Sequence, residues 1–161
     1  MQEDLTSQQL GAYVLSIKLQ RSFCGKVGAL GDVDLSPGHY FYFGSARGPG
    51  GLAARLSRHV RMKKTIHWHV DHLTTFGQVT EILAVEGGDE CDLRHLAMQL
   101  NSISVPVTGF GSSDCPRCPA HLLASEEEAS ETLFLLAGKT GGRLYSAESF
   151  LPITAAQPST V

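Results

Sequence analysis

The first half of the chain alternates between strand-like and helix-like patterns of apolar residues. In Gly11–Leu19, apolar side chains alternate with small or polar ones, which predicts a half-buried strand. The aromatic segment 39–44 predicts a second strand. Apolar residues at helical spacing then predict a helix over 52–62, and another apolar run predicts a strand over 79–85.

Two further helices are expected behind residues that cap helix N-termini. Thr65 is the expected cap of a helix over 67–76, and Asp89 is that of a helix from Glu90 to about residue 100. The order of elements is then strand, strand, helix, helix, strand, helix. It predicts an α+β fold in which a small antiparallel three-stranded sheet is flanked by helices.

The remaining segments are rich in glycine or in polar residues. Residues 23–34 predict a turn or a small hairpin. In the last third we expect loops, a short acidic helix over 125–131, a hairpin with strands 132–137 and 143–147, and a frayed tail over 152–161. We therefore divide the chain into an N-terminal tail over 1–9, a domain over 10–124 and a loop-rich C-terminal extension over 125–161.

The composition is that of an ordinary soluble domain, with 42% hydrophobic and 18% charged residues among 161. No apolar run approaches the roughly 20 residues needed to span a bilayer. The polar N-terminus lacks the basic start and apolar stretch of a secretion signal. We therefore expect no membrane association, a cytoplasmic location and reduced cysteines.

Charge is distributed unevenly along the chain, although the net charge is only −3. Residues 1–64 hold nine Lys/Arg and four Asp/Glu, whereas residues 65–161 hold four and twelve. No acidic residue lies between Asp34 and Asp71. This basic window, residues 35–70, predicts a face that binds phosphates; a solvated helix face is the alternative. The candidate nucleic-acid-binding residues are Ser45, Arg47, Arg58, Arg61, Lys63, Lys64 and His67.

Two tripeptides mark the first two strands. Gly11-Ala12-Tyr13 begins the first, and Tyr42-Phe43-Gly44 ends the second. The following helix presents Arg55 and His59 four residues apart, hence on one face, and Glu90 opens the last helix of the unit.

The order of these residue types resembles the GIY-YIG nuclease domain over roughly residues 10–101. Within that superfamily the chain is most similar to the small, stand-alone Uri-type group. The segments that carry this closer likeness are 48–52, 55–59, 67–71, 90–93 and 109–115. The chain differs from the family pattern in the 28 residues from Val14 to Phe41 that separate the tripeptides, which require an insertion or an extra hairpin at residues 24–34. In this superfamily an Asn often follows the last helix of the domain, and Asn101 is the candidate for that residue in this chain.

The resemblance implies a metal-dependent endonuclease that hydrolyses phosphodiester bonds in DNA or RNA. Tyr13 would act as general base or water-positioning group, with Tyr42 as a second hydroxyl beside it. Arg55 would bind the scissile phosphate, and His59 would shuttle a proton or hold a phosphate. Glu90 would bind Mg²⁺ or Mn²⁺, since hard cations prefer oxygen ligands.

Taken singly, each of these residues has an ordinary structural explanation, and only their joint order favours catalysis. Tyrosines on aromatic strands pack in cores, and a glutamate in a first helical turn complements the helix dipole. Glu81 and Glu86 are rival metal ligands. The alternatives to a nuclease are a catalytically inactive nucleic-acid-binding module and a zinc-stabilised protein that binds a protein partner.

A second candidate site follows from cysteine and histidine spacing. Cys115, Cys118 and His121 form the pattern C-x-x-C-x-x-H, which suits Zn²⁺. Zinc needs a fourth ligand, and the alternative to a metal site is a pair of partly buried thiols in a loop. The candidates for that fourth ligand are Asp114, His67, His69 and Cys91.

Overall fold

The computed structural model describes residues 4–100 and 102–151 of the chain. The tail expected over 152–161 and the candidate Asn101 lie outside these residues. The α-helices of the described part are α1 (Gly51–Val60), α2 (Asp71–Thr74), α3 (Glu90–Met98) and α4 (Ala129–Thr140), and two short 3-10 helices span Gly28–Leu30 and Ala147–Phe150. The strands there are β1 (Gly11–Leu19), β2 (Phe23–Lys26), β3 (Asp32–Leu35), β4 (Gly38–Ala46), β5 (Gln78–Glu86), β6 (Ile103–Ser104), β7 (Leu122–Ser125) and β8 (Arg143–Ser146).

The main sheet has six strands in the order β6-β7-β4-β1-β5-β8, and every neighbouring pair is antiparallel. The predicted α+β class is confirmed, but the predicted count of three strands is wrong. The three expected strands form the centre of the sheet, and short strands extend both edges. Two of these edge strands, β6 and β7, were not predicted, because two to four residues are too few to show a period of two. The third, β8, falls in a segment for which a strand was expected.

Both faces of the central strand β1 are buried, so the prediction of a half-buried strand is wrong. Tyr13, Leu15 and Ile17 belong to one core, together with side chains of α1. Ala12 and Val14 belong to a second core, together with side chains of α3 and α4. The small residues that alternate with the larger apolar ones indicated a face exposed to solvent. In the structure, their small size instead leaves room for a second layer of helices.

The helix predicted over 67–76 is reduced to the four residues of α2. The Asp71 carboxylate accepts hydrogen bonds from the backbone N–H groups of His67 (2.8 Å) and Trp68 (2.9 Å), which hold the preceding residues in a turn. Thr65 caps no helix, because α2 begins only at Asp71, and the Thr65 carbonyl instead accepts a hydrogen bond from Arg58 (3.0 Å). Side chains distant in sequence therefore override the local helical pattern.

The hairpin predicted around residues 138–142 is also wrong. Its first expected strand lies within α4, which buries Thr132, Leu133 and Leu136 at helical spacing, and Gly141 ends the helix in a left-handed conformation. The second expected strand is confirmed as β8, but it pairs with β5. The apolar run of α4 has no polar interruption that would distinguish a helix from a strand.

The hairpin predicted between the two tripeptides is confirmed as β2 and β3. Phe23 and Val33 from this hairpin reach the first core, so the insertion packs against the domain. Within residues 4–100 and 102–151, no helix combines the length and apolar character needed to cross a membrane. The cytoplasmic location stays a prediction.

Candidate active site and cysteine–histidine cluster

A pocket with a volume of about 260 Å³ opens where β1, β4, α1 and α3 meet the loop over residues 105–121. Four of the five predicted catalytic residues line it, and His59 lies behind one of them. We call this cavity the Tyr13 pocket. Its lining residues are Tyr13, Tyr42, Phe43, Gly44, Ser45, Arg55, Trp68, Glu90, Gly111, Asp114, Cys115 and His121.

The pairing of β1 with β4 explains why the two tripeptides belong together. Their register places Tyr13 directly opposite Gly44. A Cβ atom at position 44 would collide with the Tyr13 ring and hydroxyl, so the glycine makes room for the tyrosine. Tyr42 follows the same alternation on β4 and reaches the same face, with 9% of its surface exposed. The tripeptides therefore build one wall of the pocket from two adjacent strands.

His59 on α1 supports Tyr13 from inside the protein. Its Nε2 lies 2.6 Å from the Tyr13 hydroxyl, and only 1% of its surface is exposed. Burial, aided by the positive charge of Lys64, lowers the pKa of His59 to about 3, so the ring is neutral. A neutral ring can accept the hydroxyl hydrogen at Nε2. This burial favours an action through Tyr13 over the alternative of direct phosphate binding.

Both tyrosine hydroxyls are protonated in the free protein. Burial raises the pKa of Tyr13 well above its usual value, and the neighbouring Tyr42 raises it further. Burial also raises the pKa of Tyr42 to about 12. The positive charge of Arg55 lowers the pKa of both hydroxyls and so opposes the effect of burial. Among the described residues, Arg55 is therefore the group that favours a tyrosinate in the pocket.

Arg55 is held at the pocket by an aromatic side chain and a backbone carbonyl. Its guanidinium lies 4.3 Å above the centroid of the Trp68 ring, and its Nη1 donates to the Ser45 carbonyl (3.2 Å). Trp68 falls within the segment 67–76 for which a helix was expected. Its role as a platform for Arg55 depends on a turn that the sequence pattern did not predict.

The basic window divides into structural and exposed charges. Arg58 is occupied by a two-pronged ion pair with Asp71 (2.8 and 2.9 Å), so a phosphate would have to compete with a buried carboxylate. Lys64 donates to two carbonyls at the end of α1, and burial lowers its pKa to about 8. Arg47 donates to the Gly88 carbonyl (3.0 Å). The most exposed candidates of the window include Arg47, Arg61, Lys63 and His67.

Two carboxylates face the pocket, Glu90 and Asp114. Glu90 begins α3, whose predicted cap is confirmed: the Asp89 side chain accepts from the backbone N–H of Cys91 (2.9 Å). The rival metal ligands lie elsewhere. Glu81 accepts from Ser130 (2.7 Å), and the exposed Glu86 accepts from Gln9 (3.2 Å).

A second constellation adjoins the pocket, formed by Cys91, Cys115, Cys118 and His121. The ligand atoms of these four residues all lie within 4.8 Å of one another, an arrangement that can hold a metal ion. We call this group the Cys91 cluster. Cys91 thus joins the predicted trio, whereas the alternative fourth ligands Asp114, His67 and His69 do not. Because Cys91 lies 24 residues before Cys115, only the fold brings them together.

The thiols of the Cys91 cluster differ in their surroundings. Burial raises the pKa of Cys91, and the neighbouring thiols of Cys118 and Cys115 add to the effect. For Cys115, burial favours a higher pKa, but the backbone of Arg117, the thiols of Cys91 and Cys118 and the backbone of Cys118 outweigh burial and leave the pKa below its usual value. Cys24 lies apart on the surface, where it hydrogen-bonds Asp34 (3.2 Å).

The pocket and the cluster both fall within one family match. The model of a domain of unknown function, DUF123, matches residues 12–140. The chain belongs to this family. The DUF123 region includes every lining residue of the Tyr13 pocket and all four members of the Cys91 cluster. No curated protein and no solved structure matches the chain.

Proposed function

We propose that this DUF123 protein is a metal-dependent endonuclease that hydrolyses phosphodiester bonds in DNA or RNA. The observation that carries the proposal is the convergence of Tyr13, Tyr42, Arg55 and Glu90 on one pocket. These residues come from four different elements, and their order along the chain resembles that of the GIY-YIG nucleases. Convergence of scattered polar residues in a cleft is the usual mark of an active site.

Arg55 supplies the anchor for the scissile phosphate. Its guanidinium stays charged at any physiological pH, and its fork of donors matches the phosphate oxygens. The contacts with Trp68 and Ser45 restrict its orientation before a substrate arrives. A preorganised cation of this kind stabilises the negative charge that builds up on the phosphoryl oxygens during hydrolysis.

Tyr13 is suited to orient the attacking water. In the tautomer whose Nε2 accepts the Tyr13 hydroxyl hydrogen, the tyrosine oxygen presents its lone pairs to Arg55 and to a water molecule in the pocket. Transfer of the hydroxyl proton to His59 is unfavourable in the free protein, because burial raises one pKa and lowers the other. The geometry therefore supports the water-positioning role more strongly than the general-base role, with His59 as a positioning residue.

Glu90 and Asp114 fit a hard divalent cation. Mg²⁺ and Mn²⁺ prefer carboxylate oxygens and commonly use one or two carboxylates together with substrate phosphates. When bound, such a cation would neutralise charge on the phosphoryl and leaving oxygens. The sulfur-rich Cys91 cluster has the opposite preference and suits zinc. We therefore assign the two groups to different ions.

The test compares cleavage of mixed single- and double-stranded DNA and RNA by the wild type and four variants, with Mg²⁺ or Mn²⁺ present. Glu90→Ala and Arg55→Ala should each lower the cleavage rate at least about 100-fold, as expected for the loss of a group that stabilises transition-state charge. Glu126→Ala and Arg21→Ala, both exposed and outside the pocket, are the matched controls. Unchanged cleavage by both pocket variants would exclude the proposed roles.

A catalytically inactive nucleic-acid-binding module is the second candidate. The observation that favours it is the raised pKa of both tyrosines, which keeps their hydroxyls protonated in the free protein. Salt-sensitive binding without cleavage in Mg²⁺ or Mn²⁺ would support this candidate over the nuclease. A zinc-stabilised interaction protein is the third, and the Cys91 cluster is compatible with all three.

A further inference from the structure

We propose that Cys91, Cys115, Cys118 and His121 form a tetrahedral structural zinc site that fixes helix α3, and with it Glu90, against the loop closing the Tyr13 pocket. The zinc site stands on the geometry of the four residues alone. The further claim, that this zinc site positions Glu90 as a ligand of the catalytic metal, rests on the proposed nuclease function.

The four donor atoms lie within 4.8 Å of one another, and two of their separations match a tetrahedral ion. Zinc bonds of about 2.3 Å to sulfur and about 2.0 Å to nitrogen place neighbouring ligand atoms roughly 3.5 to 3.8 Å apart. The Cys91 sulfur lies 3.6 Å from the Cys115 sulfur and 3.8 Å from Nε2 of His121. A disulfide would need two sulfurs about 2 Å apart, and all three thiols are free.

Two of the four ligands are held by the surrounding backbone. Nε2 of the buried His121 faces the Cys91 sulfur, so this ring nitrogen is the one placed to bind the ion. The backbone N–H of His121 donates to the Phe110 carbonyl (2.8 Å), and that of Cys115 donates to the Ser112 carbonyl (3.0 Å).

Arg94 gives an independent indication of negative charge at the cluster. It is 7% exposed, and together with Cys91 and Cys118 it lines a small cavity. No carboxylate of the described residues lies within ion-pair distance of Arg94; its Nε donates to the Ala120 carbonyl (2.5 Å). Zinc with three thiolates and one neutral imidazole carries a net charge of −1, which this buried cation balances.

The four ligands come from the two elements that form one side of the pocket. Cys91 follows Glu90 directly in the first turn of α3. The other three lie in or directly after the segment that supplies Gly111 and Asp114, and residues 105–121 contain no helix or strand. The buried Phe110 and the hydrogen bond from the Gly109 N–H to the Pro119 carbonyl (2.6 Å) hold this loop on the domain, and an ion would link it directly to α3. A shared ion would therefore hold Glu90 and Asp114 at a constant separation.

The first measurement is the zinc content of the purified full-length chain by mass spectrometry. We expect one zinc per chain in the wild type and in Cys24→Ser, the exposed control. Cys91→Ser should reduce the content to near zero and lower the Tm by roughly 10 °C or more. His121→Cys should retain one zinc, because four thiolates also bind zinc, and it tests the site if Cys91→Ser does not fold.

The geometry of the ion is tested by replacing zinc with Co²⁺. Tetrahedral thiolate coordination should give visible d–d bands and thiolate-to-cobalt charge-transfer absorption in the wild type, with altered charge transfer in His121→Cys. A wild type that binds neither zinc nor Co²⁺ when either is supplied to the folded protein would overturn the site. One zinc per chain in Cys91→Ser would exclude Cys91 as a ligand.

The coupling to the pocket needs a separate comparison. Glu90→Ala should keep its zinc and lose cleavage, whereas removal of zinc from the wild type should lower cleavage at least about tenfold and zinc addition should restore it. Full cleavage by the zinc-free protein would overturn the positioning role. A zinc-loaded wild type that cleaves nothing in Mg²⁺ or Mn²⁺ would overturn the proposed function and leave the zinc site intact.

Discussion

His59 lies behind Tyr13, where its Nε2 faces the tyrosine hydroxyl and its Nδ1 has no hydrogen-bond partner in the described part of the chain. The charged groups that influence it are Lys64, Asp71, Arg55 and Arg58. Burial dominates, so the pKa of His59 falls to about 3 and the folded protein keeps the ring neutral. An unfolded chain would protonate the same ring near pH 6.5, which links this residue to the pH dependence of stability.

Acid should therefore destabilise the protein through His59. Between pH 6.5 and 3 the unfolded chain binds a proton that the folded protein does not, so the free energy of unfolding falls as pH falls. By pH 5 the loss from this residue should reach about 2 kcal/mol relative to pH 8. Urea unfolding of the wild type and of His59→Gln at both pH values measures it.

The His59→Gln variant should show a pH dependence smaller by that amount. His95→Gln, which changes an exposed histidine of α3, is the matched control and should behave as the wild type. Burial also lowers the pKa of His69 and His121. These two residues therefore also lower the free energy of unfolding as pH falls, and both are unchanged in the two variants. The same pH dependence in His59→Gln as in the wild type would contradict the prediction.

At the scale of elements, Asp71 determines how α1, the turn that carries Trp68, and α2 fit together. Its buried carboxylate receives both prongs of Arg58 and two backbone N–H groups. Burial alone would raise its pKa, but the hydrogen bonds from Arg58 and the backbone lower it to about 2. The turn presents Trp68 beneath Arg55, so the ion pair acts on the pocket through this platform.

Removal of the Asp71 carboxylate should loosen this junction. Asp71→Ala leaves Arg58 and two N–H groups without their acceptor, and the expected loss is about 3 kcal/mol in the free energy of unfolding. Asp92→Ala is the control, because its ion pair with Arg117 (3.6 Å) is exposed on both sides and should contribute under about 0.5 kcal/mol. Chemical denaturation at pH 7 distinguishes the two. Equal losses in both variants would refute this role of Asp71.

Over the whole molecule, only some of the positively charged side chains in the first part of the chain stay exposed after folding. Arg58 and Lys64 are used within the fold, whereas Arg61 and Lys63 remain exposed just after α1. Exposed cations near a phosphate-binding pocket release counterions from nucleic acid when they bind it. The basic window is therefore expected to act through fewer side chains than its composition indicates.

Salt dependence measures how many of these cations contact phosphate. In the absence of added Mg²⁺ or Mn²⁺, Arg61→Ala and Lys63→Ala should each make the slope of log K against log salt shallower by about 0.9 for duplex DNA. Lys18→Ala, an exposed change at another cavity, should leave the slope unchanged. Wild-type slopes in both Arg61→Ala and Lys63→Ala would remove these residues from the interface.

Local patterns were enough to predict the elements that carry most of the pocket. Gly11–Leu19 was predicted with its observed bounds, because nine residues give the period of two enough repeats. The cap at Asp89 and the start of α3 at Glu90 were also predicted correctly, because capping depends on residues within one turn. Tyr13, Tyr42, Arg55 and Glu90 were selected by their order, and their roles in catalysis stay predictions.

The sequence by itself determined the central strands, α1, α3 and the inserted hairpin, because each depends on neighbours within a few residues. Only the tertiary structure decided the six-stranded sheet, the helix at Ala129–Thr140 and the burial of His59. It also decided that Cys91 completes the cluster. These features depend on contacts between residues distant along the chain, whose free energies exceed the local preferences that a sequence pattern records.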